Sequence, residues 1–528
     1  MTTGTSYMRA ILARVRPYAP ALALYLFTLF PIWLDMDTRK GLAVSHASWS
    51  VWIAAGIFFA ATMFPKRARA YSILVFALVY IPCGLRVAYY HAFGRLIDRG
   101  GWFALFDTNL GEAAAFMGGY ANAANIASTA ALLLIAAAAL WKVRTIEGTP
   151  HLDGLRKALF LIFIAALGRG LFTDPRYRPA AFELRAAHCE YANFFNFADK
   201  NARKFEPFKD IRSEISGAQT YVFVIGESAS RRHHSLYGYA RETNPLLGEI
   251  RGQLHVFQEA ASPATQTITS LQKVLTFADF ESMEALTRKG SVVNFFKDAG
   301  FKTFWISGNM PRVSKGRFIA AIAEDADVAK FDGELDSAAF GDLRVVDEFK
   351  LALSDAAPKK AIFLHLMGQH WDYAHRYPPE FEKWRGAKSA RLAKVDAYDN
   401  ATLFVDHVLR RIIDGLAGGG AISALAYFSD HGEDADGEDS CFCHNSAIQS
   451  DNMFEVPLVI WLSPEYRRAR PGFADRLAGY TARRFNLADF PHAAARLAGL
   501  SSPDIDPSKS PFDPSYREPK KSIVKQLF

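Results

Sequence analysis

The feature that most constrains this chain is a change of pattern about a third of the way along it. Five apolar stretches occupy residues 19–34, 48–64, 71–90, 125–141 and 158–172, the last one short and carrying Arg169. Each approaches the ~20 residues that an α-helix needs to cross a bilayer. Charge follows the same division. Residues 1–170 hold 16 Lys and Arg against 7 Asp and Glu, whereas the remainder holds 45 against 47. A basic excess confined to the apolar part suits a membrane anchor and not a nucleic-acid-binding face. Arg9, Arg14 and Arg16 precede the first stretch; Lys66, Arg67 and Arg69 follow the second; Lys142, Arg144, Arg156 and Lys157 lie between the fourth and fifth. The positive-inside rule then puts the N-terminus in the cytoplasm, and five crossings leave everything after residue 172 outside. More apolar stretches follow the first, which lacks a small-residue cleavage site, so it is expected to be an anchor and not a signal peptide.

Residues 173–218 mix aromatic and charged side chains, as in "FELRAAHCEYANFFNFADKNARKFEPF". This composition fits a helix lying in the membrane interface, and it fits equally a linker packed on the following domain. From Tyr221 onward, short apolar runs ("YVFVIG", "KTFWISG", "AIFLHLMG", "SALAYFSD", "VPLVIWLS") alternate with helix-like stretches such as 395–413. Such alternation predicts a doubly wound α/β domain with a mostly parallel sheet over residues 219–528. The chain has four cysteines, and Cys83 falls in the third apolar stretch. Cys189, Cys441 and Cys443 are left outside, an odd number, so no disulfide framework is expected.

In a parallel α/β sheet, chemistry collects beyond the C-terminal ends of the strands. Glu227 follows "YVFVIG", His370 follows "AIFLHLMG", and Asp430 and His431 end "SALAYFSDH". Any one of these alone reads as strand-end polarity or a capped turn. Two carboxylates and an imidazole at one sheet edge make a set suited to zinc with a position left open. Thr265, Thr267, Thr269 and Ser270 precede a helix-like run in "ASPATQTITSLQKVLTF". A hydroxyl there serves as an N-cap or, beside a metal that lowers its pKa, as a nucleophile. The helix N-terminus also offers donors to a phosphate.

Taken together, "VIGESASRRHHSLYGYARETNP", "TQTITSL", "GQHWDYAHRYP" and "FSDHGE…H…VPLVIWLS" resemble the membrane phosphoethanolamine transferases of the alkaline phosphatase and sulfatase superfamily. The resemblance runs over nearly the whole chain. It implies a multi-pass protein of the bacterial inner membrane with a periplasmic catalytic domain. It also implies zinc held by Glu227, Thr267, Asp430 and His431, with Thr267, the first residue of "TITS", as nucleophile. His370 and His444 match the histidines that bind the phosphoryl group or assist the leaving group. Asn109 and Glu112, in "LFDTNLGEAAAF", match the external loop that helps hold the lipid. The implied reaction moves phosphoethanolamine from phosphatidylethanolamine to a cell-envelope acceptor through a phosphorylated threonine. The acceptor is a lipopolysaccharide core sugar, lipid A or another glycan. Two departures bear on that choice: the cysteines are too few for the disulfides of the lipid A modifiers, and "TQTITSLQ" lacks their "SVPC". A phosphoglycerol transferase on the same scaffold, or a catalytically silent membrane sensor, are the competing expectations.

Overall fold

In the computed structural model the described residues are 123–143, 205–277, 288–311, 318–332, 340–436, 444 and 449–519, with isolated positions between 77 and 102. The chain divides into two compact units, Met1–Tyr191 and Ala192–Phe528. In the first, helix α1 (Ala123–Val143) covers the fourth apolar stretch. Among the described residues no helix is long and apolar enough to cross a membrane. The first, second and fifth apolar stretches, most of the third, and both Asn109 and Glu112 lie outside the described residues.

The second unit is built on a seven-stranded sheet. Its strands are β1 (Gln219–Gly226), β2 (Leu254–Val256), β3 (Lys302–Pro311), β4 (Val328–Asp332), β5 (Lys359–His365), β6 (Ile422–Ser429) and β7 (Leu458–Leu462). Their spatial order is β2-β7-β6-β1-β5-β3-β4. Pairing from β6 through β1, β5 and β3 to β4 is parallel. β7 runs against both of its neighbours. The run "VPLVIWLS" is therefore a reversed strand, and the sheet is mixed.

Central strands of such a sheet are buried on both faces, so they read as continuous apolar runs with alternate residues on opposite sides. On one face Val222, Val224, Ile362, Leu364 and Leu425 pack against helices α4 (Leu343–Leu353) and α5 (Ala390–Ala417). On the other, Phe223 stacks on Phe363 at 5.1 Å. Phe223 also meets Phe296 of α3 (Val292–Asp298) and Phe490 of α6 (Phe490–Leu497) at 5.2 and 5.7 Å. Helix α5 starts earlier than its apolar periodicity indicates, because the Ser389 hydroxyl accepts from the Leu392 amide and caps it.

The described part of the connecting segment packs on this unit. Phe208 sits against Phe277 and Phe295 at 4.9 and 5.2 Å. Arg212–Ser213 pairs with Leu500–Ser501, and Glu214 accepts from Arg470 and Arg496 at 2.5 and 2.6 Å.

Candidate metal centre and active site

The sheet brings three of the four strand-end candidates together. β1 and β6 are adjacent and in register up to Gly226 and Ser429, so Glu227 and Asp430 leave the sheet side by side. Glu227, Asp430 and His431 are fully buried, and each offers one ligand atom within 4.8 Å of the others. His431 Nε2 lies 3.4 Å from Glu227 Oε1 and 3.3 Å from Asp430 Oδ2.

Thr267 opens helix α2 (Thr267–Val274) at the same point. Its Oγ1 is 3.2 and 3.3 Å from the two Glu227 oxygens and 3.3 Å from His431 Nε2. The neighbouring hydroxyls are engaged elsewhere. Thr269 donates back to the Gln266 carbonyl, and Ser270 donates to the Asp430 carbonyl. Thr267 does not cap the helix; its hydroxyl turns inward.

The residues present fit a metal ion. Asp430 Oδ1 accepts from the amides of Ser228 and His431, at 3.1 and 2.7 Å. Its Oδ2 is buried and has no hydrogen-bond partner. A buried carboxylate oxygen left unpaired is costly, and a cation at the meeting point of these donors would remove that cost. His431 Nδ1 lies 2.8 Å from the Gly432 carbonyl, which keeps the proton there and turns the Nε2 lone pair toward the carboxylates. Burial would push Glu227 upward, but His431, with His370 and His365 further off, holds its carboxyl well below the usual range. Burial and then the Glu227 charge push Asp430 upward. Burial disfavours a charged His431, yet Asp430 and Glu227 beside it raise it.

His444 and His370 stand at the side. The His444 ring centre is 4.1 Å from that of His431 and 6.4 Å from that of His370. His444 Nδ1 contacts the buried Glu433 at 2.8 Å, and His370 Nδ1 contacts the Trp371 carbonyl at 2.6 Å. Burial lowers the His370 pKa and favours its neutral form.

Several groups that hold this arrangement were not legible in the sequence. Ser228 has φ +58, in the left-handed region, and its hydroxyl donates to Glu227 Oε1 at 3.0 Å. The buried Asp342, just before α4, accepts from the amides of Met367 and Gly368 at 2.8 and 2.9 Å. That holds the turn leading to His370 against β1, where the Gln369 amide donates to the Glu227 carbonyl at 3.0 Å. Gly368 has φ +50, and a Cβ there would come within 3.0 Å of the Glu227 backbone. Only glycine suits both conditions. In the sequence these are one glycine in a loop and one acid among many.

Comparison with known proteins gives the family. The sulfatase family model matches residues 219–500. The chain is 27% identical over 500 residues to phosphoethanolamine transferase EptC of Escherichia coli (strain K12), covering 86% of this chain and 84% of that protein. It is 28% identical over 492 residues to phosphoethanolamine transferase CptA of Salmonella typhimurium, with 86% and 84% covered. The crystal structure of the C-terminal periplasmic domain of EptC from Escherichia coli, in complex with Zn, is 31% identical with a TM-score of 0.56. That likeness covers 60% of this chain and 92% of the domain. The integral membrane protein lipooligosaccharide phosphoethanolamine transferase A of Neisseria meningitidis shares the fold over 94% of this chain and 98% of its own. Its TM-score is 0.69 at 18% identity. The chain belongs to the sulfatase family and, within it, to the phosphoethanolamine transferases.

Proposed function

We propose that this protein is a zinc-dependent transferase that moves phosphoethanolamine from phosphatidylethanolamine to a lipopolysaccharide or related envelope glycan. The observation that carries the reading is the Thr267 hydroxyl, facing Glu227 and His431 beside the unpartnered Asp430 Oδ2. Bound by Glu227, Asp430, His431 and Thr267, zinc would lower the pKa of a neighbouring hydroxyl and offset charge on phosphoryl oxygens.

In the first half-reaction Thr267 Oγ1 attacks the lipid phosphorus, and the bond from phosphorus to the diacylglycerol oxygen breaks. Diacylglycerol leaves with a proton, and phosphoethanolamine stays as an ester of Thr267. In the second, an acceptor oxygen attacks the same phosphorus and gives up its proton. The bond to Thr267 breaks and the hydroxyl is restored. His370 and His444 flank the metal ligands and are the groups suited to hold the moving protons or to donate to phosphoryl oxygens. Glu433 acts through His444, keeping a proton on Nδ1 so that Nε2 is the nitrogen left for substrate.

The same reading makes residues 1–172 a five-span anchor in the bacterial inner membrane, 173–218 the connection, and 219–528 the periplasmic catalytic part. Asn109 and Glu112 would contact the lipid. Its test is the covalent intermediate. Full-length protein incubated with phosphatidylethanolamine vesicles should gain one phosphoethanolamine, carried by the peptide containing Thr267, and lose it when lipopolysaccharide is added. A label on another residue overturns the role of Thr267. Labelling from phosphatidylglycerol vesicles instead would make the enzyme a phosphoglycerol transferase.

A further inference from the structure

Between residues 383 and 394, "KWRGAKSARLAK" places five cations, Lys383, Arg385, Lys388, Arg391 and Lys394, with no carboxylate among them. Their position is electrostatically unfavourable for the helix they introduce. Arg391 and Lys394 lie near the start of the 28-residue α5, which has no acidic residue in its first turn. A helix N-terminus carries partial positive charge and favours anions, so helix stability does not account for cations there. Lys383 is paired with Glu242 at 3.3 Å, but Arg385 and Lys388 are exposed and make no ion pair among the described residues.

The segment also touches both loops that carry active-site histidines. Lys394 Nζ lies 4.8 Å above the ring of Trp371, the residue that follows His370. Arg391 Nε donates to the Asp436 carbonyl at 2.8 Å, five residues beyond His431. A strip of positive charge therefore leads from solvent to the side of the site where His370 stands. Arg391 faces the Asp436 carboxylate and Lys394 faces Asp372, so among the described residues Arg385 and Lys388 carry the strip's unpaired charge, while Arg241 holds Asp396 and Asp399, both at 2.8 Å, behind it.

We propose that Arg385, Lys388, Arg391 and Lys394 form the landing surface for the phosphate groups of the acceptor. The inference rests on the transferase reading and deepens it. A surface for an anionic bilayer would need only net charge. This one is continuous with the loops bearing His370 and His431, where the acceptor oxygen must arrive. Arginine and lysine match phosphate oxygens through charge-assisted hydrogen bonds. Because the cations are exposed, ionic strength should weaken the interaction, the Debye length being about 10 Å at 0.1 M salt.

The test uses the full-length protein in phosphatidylethanolamine vesicles, with purified lipopolysaccharide as acceptor, either intact or stripped of phosphate. Wild type is compared with the variant Arg385→Gln/Lys388→Gln and with Lys394→Gln. Diacylglycerol release without acceptor is the internal reference for the first half-reaction. The expected result is an acceptor KM raised about tenfold relative to that reference. Wild type should show a rise of the same kind on phosphate-free acceptor or at raised salt. Acceptor KM equal to wild type overturns the landing surface and leaves the transferase reading standing. So does a loss of diacylglycerol release by the same factor as transfer, which would assign the strip to the bilayer. Wild-type protein that releases no diacylglycerol overturns the transferase reading, and the surface falls with it.

Discussion

The Tyr398 hydroxyl donates to the carbonyl of Ser228 at 2.6 Å, joining α5 to the turn that follows β1. It also accepts from the Ser230 amide at 2.8 Å, so one buried oxygen spans a turn whose first residue lies in the left-handed region. Through Ser228 the turn contacts Glu227 and Asp430 together. Tyr398→Phe keeps the ring contacts with His233 and Tyr373 and removes only this bridge. Metal affinity, measured by competition with a chelator, should fall about 10–100-fold, the usual cost of losing a group that orients metal ligands. Stability should fall by about 1–3 kcal/mol, for the polar backbone groups left unpaired. Unchanged affinity would show that Ser228 holds its conformation without Tyr398.

Thr267→Ala should abolish transfer with little change in stability, since Thr267 is only partly buried at the first turn of α2. Thr267→Ser should retain part of the activity. Turnover by the alanine variant at the wild-type rate would show that another group attacks phosphorus.

Asp430→Asn should release the metal. It replaces the unpartnered Oδ2 with a neutral oxygen or an amide nitrogen, at a point already facing His431 at 3.3 Å. Metal content by mass spectrometry should drop from close to one ion per chain to well below that. The fold, followed by circular dichroism, should persist, because the hydrophobic sheet core does not depend on this site.

His233 gives the α/β unit a pH dependence of known sign. Burial disfavours its charged form, but a hydrogen bond to Asp399 and the Asp436 carboxylate at 3.4 Å more than offset this and raise its pKa to about 9. Tyr239 and Arg241 also contact Asp399, at 2.9 and 2.8 Å, and Tyr398 packs on the ring. A histidine raised above its unfolded value near 6.5 stabilises fully below that value and loses the contribution as pH rises through about 9. The melting temperature should therefore decline between pH 6.5 and 9.5, and His233→Gln should flatten that decline. Parallel curves for the two proteins would assign the decline to other groups.

A soluble fragment should begin before the segment that packs on the unit. Deleting residues 205–218 removes Phe208 from Phe277 and Phe295 and leaves Arg470 and Arg496 without Glu214. Losing the burial of one phenylalanine costs about 1.5–3 kcal/mol. A fragment of residues 205–528 should melt several degrees above one of 219–528. Both should bind metal, and both should turn over lipid in a bilayer far more slowly than the full chain, because loss of positioning can cost ~7–11 kcal/mol. Equal lipid turnover by full chain and fragment would reduce residues 1–172 to a tether.

The sequence by itself marked the strand elements and the polar residues that close them. The five strand-like runs each became a strand, because a strand buried on both faces must be apolar at every position. Glu227, Asp430 and His431 were legible because polar residues that close apolar runs emerge at the sheet edge. Family motifs added Thr267, His370 and His444. Tertiary structure decided the rest. The reversal of β7 depends on how the chain between Ser429 and Leu458 returns, which local periodicity does not encode. Packing also turns the Thr267 hydroxyl toward Glu227 and His431, while Ser270 reaches the Asp430 carbonyl, 160 residues away. Tyr398, Asp342 and Glu433 looked like ordinary helix, loop and acidic residues. Their roles come from hydrogen bonds that exist only once distant segments are packed, and a hydrogen bond of that kind leaves no period or spacing in the chain for a reader to find.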